Sequence, residues 1–197
     1  MDPLLGVVLA AGAGRRYGGP KAFVLTPGGE TWLSRTCEVL LEGGCSAVVA
    51  TVPVGGDLPT LGPRVTVLPL RTSGQSESLA AALDLAIARG AVGVVVMLVD
   101  LPDVGASVVE RVVAGGVEAD SLVRAAYDGR PGHPVLIGSA HLAPLLGSLT
   151  GDTGANAYLK AHGVQLVECG DLATGIDVDR PSRSTPAATS ADDGAPT

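Results

Sequence analysis

The chain has 197 residues, of which 46% are hydrophobic and 17% charged, so it can bury a core, and its length favours one domain. Its net charge of -7 repels the phosphate backbone of nucleic acids, and aromatic residues make up only 3%, too few for base-stacking platforms. These values argue against a disordered chain and against a nucleic-acid-binding protein.

Strand and helix patterns alternate along the chain. Residues 4–10 form an apolar run closed by glycines, which is typical of a strand buried on both faces of a parallel sheet. The predicted elements, in order, are strand 4–10, helix 31–41, strands 47–52 and 65–68, helix 76–89, strand 94–99, helix 106–114, strands 121–127 and 133–138, helix 153–161 and strand 164–167. In helix 76–89, the apolar stripe is predicted to be Leu79, Leu83 and Ile87.

This order predicts an α/β fold with three layers: an open, mostly parallel sheet with helices on both faces, in a single domain over residues 1–179. Residues 180–197 contain no Leu, Ile, Val or aromatic side chain that could offset the entropy of ordering, so we expect a disordered tail there.

The sequence lacks the signals of a membrane protein or a secreted protein. No apolar run approaches the roughly 20 residues that a membrane span needs, and the N-terminal run is not preceded by basic residues. Cys37, Cys45 and Cys169 are far apart and form no CxxC pair, which disfavours a disulfide framework and a structural zinc site. We therefore expect a cytoplasmic protein that binds neither membranes nor nucleic acids.

A glycine-rich, basic loop follows the first predicted strand, over residues 12–21. Ligands of open α/β sheets bind at the carboxyl ends of the strands, and glycines let backbone N–H groups approach a phosphate. Arg15, Arg16 and Lys21 add positive charge to this loop in an otherwise acidic chain. The loop is therefore predicted to bind an anion.

Two standard phosphate-binding loops do not match this segment. Its glycines are spaced two and then four apart, unlike GxGxxG, and no acidic residue closes the second strand, which argues against Rossmann-type NAD binding. Pro20 precedes Lys21, and Ala22 stands where a P-loop carries the metal-binding hydroxyl. We therefore expect neither of these two modes of nucleotide binding.

The loop resembles the segment LAAGxSxRxGxxK of the MobA-like nucleotidyltransferases, which include molybdenum cofactor cytidylyltransferases and guanylyltransferases. Arg16, Gly18 and Lys21 fall on the Arg, Gly and Lys of that segment. Gly14 stands where the family usually has Ser, a form also seen in sugar-phosphate nucleotidyltransferases. Ala11 is similar to the cytidylyl branch, because the guanylyl branch tends to carry LAGG.

Later segments extend the resemblance over nearly all of the chain before the predicted tail. They are GQSESL at 74–79 for the family's GxSxSL, VDLPD at 99–103 for its DxP, GHPVL at 132–136 for GHPVLF, GDTGAN at 151–156 for GDxGAR, and DVDRP at 177–181 for DIDTP. In the fourth of these, Asn156 replaces the family's Arg and removes a cation that could hold a substrate phosphate.

The resemblance implies a role for each of these positions. The implied nucleotide-binding residues are Leu9, Ala10, Ala11, Gly12, Ala13, Gly14, Lys21, Gly74, Ser76, Ser78 and Leu79. The implied substrate-binding residues are His133, Pro134, Asp152 and Gly154, and the implied catalytic residues are Arg16, Lys21 and Asp100. The implied ligands of Mg²⁺ are Asp100 together with Asp177 or Asp179.

Structural roles remain open for some of these residues. Ser76 and Ser78 could cap a helix, and Asp103 suits a helix cap better than Asp100 does. His133 could be a hydrogen-bonded histidine of a turn.

The resemblance implies transfer of a nucleotidyl group from an NTP, with CTP as first choice, to a phosphate acceptor, with release of pyrophosphate. The implied acceptor is molybdopterin or its molybdenum complex, and a molybdoenzyme or a cofactor-delivery protein is a possible partner. A phosphate nucleophile is already ionised near neutral pH, so this reaction needs no general base. Two alternatives stay open: an NAD(P)H-dependent protein like the nicotine blue oxidoreductases that some family members resemble, and a non-catalytic nucleotide-binding accessory protein.

Overall fold

Seven strands form one sheet in the computed structural model, which describes residues 3–55, 57–71, 74–151 and 154–180. The strands are β1 (Leu4–Leu9), β2 (Ala47–Pro53), β3 (Val65–Leu70), β4 (Gly93–Leu98), β5 (Leu122–Tyr127), β6 (Arg130–Gly138) and β7 (Gln165–Glu168). Their order across the sheet is β3-β2-β1-β4-β6-β5-β7. β6 runs antiparallel to both of its neighbours, and the other pairs of described strands are parallel.

Helices cover both faces of this sheet. They are α1 (Trp32–Glu42), α2 (Gln75–Ala88), α3 (Ala106–Val113), α4 (Ser139–Ser148) and α5 (Asn156–Ala161). α1 and α3 pack on one face, and α2, α4 and α5 pack on the other. The predicted three-layer α/β fold is confirmed.

Two aliphatic clusters, one on each face, hold the layers together. Val8 and Met97 point from the central strands towards Leu40 of α1, whereas Val7 and Val96 point towards α2 and its neighbours. All four of these strand residues are at most 4% exposed, as expected for central strands that are covered on both faces. The core thus fixes β1 and β4 side by side.

The structure corrects several predicted details. α4 was not predicted. β6 begins at Arg130 rather than at 133, because the turn before it needs only two residues, 128 and 129. α5 begins at Asn156 rather than at 153. Of the predicted stripe of α2, Leu79 and Leu83 are buried, but Ile87 is 41% exposed because the buried face continues through Ala82 and Ala86.

The predicted disordered tail lies outside the described residues from position 181 onwards and stays a prediction. Among the described residues, no helix is both long and apolar enough to cross a membrane.

The order of the strands places a crevice between β1 and β4. The chain passes from β1 to β2 on one side and reaches β4 on the other side, so the connections diverge at this point. In open α/β sheets such a switch point, at the carboxyl ends of the strands, is where ligands bind.

Candidate active site

A cavity of about 360 Å³, here called the first cavity, opens at the carboxyl ends of β1 and β4. Its lining residues come from the loop after β1, from the start of α2, from the end of β4 and from the last described segment: Leu9, Ala10, Ala11, Gly12, Gly14, Arg15, Arg16, Lys21, Gln75, Ser78, Leu98, Val99, Asp100 and Asp179. Most of the loop residues that the sequence predicts for nucleotide binding therefore face one space.

The loop after β1 turns back on itself at Gly14. The N–H groups of Tyr17, Gly18 and Gly19 donate to the Gly14 carbonyl over 2.9, 3.0 and 3.2 Å, and Gly14 has a φ of +57°. A Cβ atom at this position would overlap with the carbonyl oxygen of Gly19. The Ser that the family usually carries here could not be accommodated in this conformation, so the glycine follows from the shape of the loop.

The same loop leaves donors available to a ligand. Among the residues that the structure describes, the backbone N–H groups of residues 11–14 have no acceptor. Consecutive free N–H groups next to a cavity attract an anion, because each of them carries a partial positive charge that the protein leaves unpaired.

Three carboxylates meet beside this loop. Oxygens of Asp100, which follows β4, and of Asp177 and Asp179 lie within 4.8 Å of one another. The backbone N–H of Val178 donates to the Asp100 carbonyl over 3.0 Å and so ties the late segment to the end of β4. This hydrogen bond explains how residues almost eighty positions apart in the sequence come to share one site.

Lys21 bridges two carboxylates of this cluster, those of Asp100 and Asp179. Its Nζ lies 2.8 Å from Oδ2 of Asp100 and 3.1 Å from Oδ1 of Asp179, and Arg16 Nη1 lies 3.3 Å from the other Asp179 oxygen. Partial burial alone would lower the pKa of Lys21, but hydrogen bonds to Asp100 and Asp179 outweigh that effect and raise it. The same lysine holds the pKa of Asp179 below its usual value. Lys21 and Asp179 are therefore both charged near neutral pH.

The carboxylate cluster suits a hard divalent cation. Mg²⁺ and Mn²⁺ prefer oxygen ligands, and three carboxylates from two segments supply them at the mouth of a cavity that has phosphate-binding features. The ammonium group of Lys21 contacts two of these carboxylates and offsets part of their negative charge in the structure.

The start of α2 only partly matches its predicted role. Ser78 lines the first cavity, but its hydroxyl donates to the Gly74 carbonyl over 2.9 Å. Ser76 lies on another side of the helix, where its Oγ accepts from the N–H of Gly154 over 3.1 Å. Gly74 is the N-cap residue, so neither serine caps the helix.

Other predicted residues lie away from the first cavity. Gly74 and Ser76 face a separate surface cavity near α4, and Ala13 and Asp177 do not line the first cavity. Asp152 lies outside the described residues. Asp103 does not cap α3, whose N-cap is Gly105; its carboxylate instead accepts from the backbone N–H of Thr174.

A second, narrower cavity adjoins the first one. It contains Leu79, His133 and Gly154 of the predicted site, and Leu9 and Gln75 line both cavities. His133 lies within β6 rather than in a turn, and its carbonyl accepts a hydrogen bond of 2.6 Å from the Tyr127 hydroxyl. Pro134, the next residue in the strand, is buried and lines neither cavity.

The second cavity also holds Arg124, which the sequence did not predict as a site residue. Burial and the neighbouring charge of Arg124 lower the pKa of His133 to about 4, so its imidazole is neutral at physiological pH. Gln75 was missed as well, although it stands inside the GQSESL segment. Its place between Gly74 and Ser76 of the motif was the available signal, whereas nothing in the strand pattern distinguished Arg124.

A model of the MobA-like NTP transferase domain matches residues 6–166 of the chain. The chain belongs to this family. Its fold is that of nucleotidyltransferases with a Rossmann-like sheet, as the predicted resemblance implies.

Relatives within this MobA-like family have different names. The chain is 33% identical to nicotine blue oxidoreductase of Paenarthrobacter nicotinovorans over 191 residues, which covers 88% of this chain and 91% of the relative. It is 32% identical over 149 residues to a probable molybdenum cofactor guanylyltransferase of Mycobacterium tuberculosis (strain CDC 1551 / Oshkosh), which covers 76% of this chain and 74% of the relative.

Solved structures agree with the family assignment. A homologue of Rv0371c from Mycobacterium sp. strain JC1 superposes with a TM-score of 0.71 at 30% identity and covers 90% of both chains. Rv0371c of Mycobacterium tuberculosis H37Rv, solved as a complex with manganese, has a TM-score of 0.65 at 25% identity and covers 90% of this chain and 94% of its own.

Proposed function

We propose that this MobA-like protein transfers a cytidylyl group from CTP to a phosphate acceptor, with molybdopterin or its molybdenum complex as the first choice. The observation that carries the proposal is the convergence of free backbone N–H groups, the cations Arg16 and Lys21, and the carboxylates of Asp100 and Asp179 on one cavity at the switch point of the sheet, with Asp177 beside them. These are the components that a triphosphate and its metal ion require.

In the proposed reaction, an oxygen of the acceptor phosphate attacks the α-phosphorus of the nucleotide. A new P–O bond forms there, the bond to the bridging oxygen of the β-phosphate breaks, and pyrophosphate leaves with that electron pair. The N–H groups of residues 11–14 bind the phosphates, while Lys21 and Arg16 stabilise negative charge as it grows in the transition state. No residue has to remove a proton.

Asp100, Asp177 and Asp179 would hold Mg²⁺, whose charge neutralises the phosphates when it is bound. Lys21 contacts two of these carboxylates, so its ammonium group is held next to the place where the triphosphate would lie. The manganese complex of a related protein is consistent with a divalent metal in this role.

Ala11 is the basis for choosing CTP. Its side chain is 2% exposed, lies at the wall of the first cavity and adds a methyl group where the guanylyl branch tends to carry glycine. GTP is the competing nucleotide, because several relatives are named as probable guanylyltransferases.

The test is to incubate the purified protein with molybdopterin, Mg²⁺ and each NTP separately, and to measure pyrophosphate release and the dinucleotide product. We expect turnover with CTP that exceeds turnover with GTP and that disappears with a chelator. Turnover with GTP alone would reject the cytidylyl assignment, and absence of turnover with every NTP would reject nucleotidyl transfer to this acceptor.

A second function is favoured by one observation, the 33% identity to a nicotine blue oxidoreductase over most of the chain. In that case the first cavity would hold NAD(P)H next to an oxidised pigment. The same protein sample, mixed with NADH or NADPH and nicotine blue, should then show loss of absorbance at the nicotinamide band. Saturable nicotinamide oxidation without NTP turnover would favour this function over the first.

A further inference from the structure

Arg124 lies on β5 and places a positive charge in the second cavity. Its Nε donates to the Gly132 carbonyl over 2.7 Å, and its Nη1 donates to Oδ1 of Asn156 over 2.9 Å. In the four ranges of the chain that the structure describes, no carboxylate forms an ion pair with it. Burial of the guanidinium lowers its pKa.

Arg124 is half-buried, so its guanidinium loses part of its hydration, and an anion in the second cavity would offset that loss. A charge that leaves water loses hydration free energy, and in protein interiors an opposite charge normally offsets that loss. The neutral acceptors on Gly132 and Asn156 offset it only in part. A guanidinium has five N–H donors, and those that these two bonds leave unused are available to an anion.

The position of Arg124 suits a substrate group that must lie close to the nucleotide. The second cavity adjoins the first, with Leu9 and Gln75 in both linings. Its volume is about 30 Å³, against about 360 Å³ for the first, so it admits a small group rather than a second complete substrate. His133, in the same lining, can form a hydrogen bond to that group without adding charge.

We propose that Arg124, oriented by Asn156 and by the Gly132 carbonyl, binds the phosphate group of the acceptor and places it next to the nucleotide. This inference rests on the proposed nucleotidyl transfer, for which it supplies the binding residue of the second substrate. Arginine matches the oxygens of a phosphate with two parallel N–H donors, so it fixes the orientation as well as the position of the group.

The experiment compares four variants with the wild type, one of which, Arg124→Lys, keeps the charge. Arg124→Gln removes the charge. Asn156→Asp keeps an acceptor for Nη1 but introduces a carboxylate that pairs with the guanidinium and cancels its charge, so it tests the same point if Arg124→Gln fails to fold. Arg35→Gln is the matched control, because Arg35 donates to the Val104 carbonyl from α1, on the opposite face of the sheet.

Phenyl phosphate serves as a defined phosphate monoester in calorimetric titrations with CTP present. We expect Arg124→Gln and Asn156→Asp to bind it at least about tenfold more weakly, the scale of one charged hydrogen bond, whereas Arg35→Gln binds as the wild type does. Arg124→Lys should recover part of the affinity. In turnover with molybdopterin, the KM for the acceptor should rise and the KM for CTP should not.

The proposal is overturned if the wild type does not bind phenyl phosphate, if both charge-removing variants bind it unchanged, or if they raise the KM for CTP instead. A wild type that binds phenyl phosphate through Arg124 but transfers no group from any NTP would leave this inference standing and refute the proposed function.

Discussion

We expect substitutions of different side chains in the first cavity to affect different quantities, because Lys21 and the carboxylates around it would act on a bound phosphate in different ways. Asp100 combines low exposure, an ion pair with Lys21 and a backbone carbonyl that binds Val178. Its backbone contact survives substitution of the side chain, so its chemical role can be separated from its structural role.

Asp100→Asn should lower kcat by more than about 100-fold, the scale seen when one charge-stabilising contact is removed, while the fold stays intact. The amide is almost isosteric but lacks the charge that a hard cation requires. Steady-state kinetics over a range of Mg²⁺ concentrations and a melting curve provide the measurement, with the exposed Asp84→Asn on α2 as control. A large drop in Tm would identify Asp100 as a structural residue, and full activity with a chelator would reject the metal site.

Lys21→Ala should reduce kcat by about 100-fold and change the Kd for CTP much less, because a charge near the α-phosphorus matters most where negative charge grows. Single-turnover rates and equilibrium titrations with CTP separate the two effects. Equal losses in rate and affinity would indicate that Lys21 contacts the phosphates in the same way before and during the reaction, and that it is not catalytic.

Ala11→Gly should lower the ratio of kcat/KM for CTP to kcat/KM for GTP, because removal of a buried methyl group from the cavity wall makes room for a purine. Both nucleotides are measured with the wild type and the variant under the same conditions. An unchanged ratio, or a wild-type ratio near one, would remove the reason for preferring CTP and leave nucleotidyl transfer unaffected.

At the scale of secondary-structure elements, the sequence predicted the strands and helices that have a regular hydrophobic pattern. Central strands such as β1 and β4 are buried on both faces, so their apolar runs are visible. α4 was missed because Pro144 lies inside it, and α-helical patterns are not expected to continue through proline. Arg124 was missed because a single charged residue in a strand normally faces water. Only the tertiary packing places its side chain in a cavity.

The turn between β5 and β6 depends on Glu168 at the end of β7. Its Oε1 accepts from the N–H groups of Asp128 and Gly170, and its Oε2 accepts from that of Gly129. These hydrogen bonds, those from Gly129 and Gly170 foremost, hold the pKa of Glu168 below its usual value. The ionised carboxylate therefore stabilises the fold above the pKa of the unfolded chain, about 4.3, and this contribution is lost as pH falls through the lower pKa of the folded state.

Glu168→Gln should accordingly lower Tm near pH 7, and the gap to the wild type should shrink as the pH is lowered below about 4, where the carboxylate becomes protonated. An amide can accept through one oxygen only, and its NH₂ group would face a backbone N–H. Melting curves from pH 3 to 7 test this, with Glu110→Gln on the exposed side of α3 as control. A gap that is constant over this range would show that the charge of Glu168 is irrelevant to the turn.

At the scale of the whole molecule, the site is assembled from distant segments by the topology of the sheet. Parallel strands bring the loop after β1 and Asp100 after β4 to one edge, as the alternation of elements predicted. The return of residues 177–179 to this edge could be expected only from the resemblance, because the segment belongs to no strand or helix. Its position depends on Val178, which packs on the core and binds the Asp100 carbonyl.

Two chains shortened at the C-terminus should separate the contribution of the last residues to folding from their contribution to turnover. A chain that ends at Arg180 keeps both hydrophobic clusters and all three carboxylates of the metal cluster, so it should retain the Tm and the kcat of the full chain. A chain that ends at Ile176 keeps the sheet and its helices but loses Asp177 and Asp179, so it should melt as a folded protein, at a somewhat lower Tm, and show no turnover. Calorimetry and the CTP assay on both chains give the result. Substantial turnover by the chain ending at Ile176 would show that Asp100 alone suffices, and a loss of kcat in the chain ending at Arg180 would assign a catalytic contribution to residues 181–197.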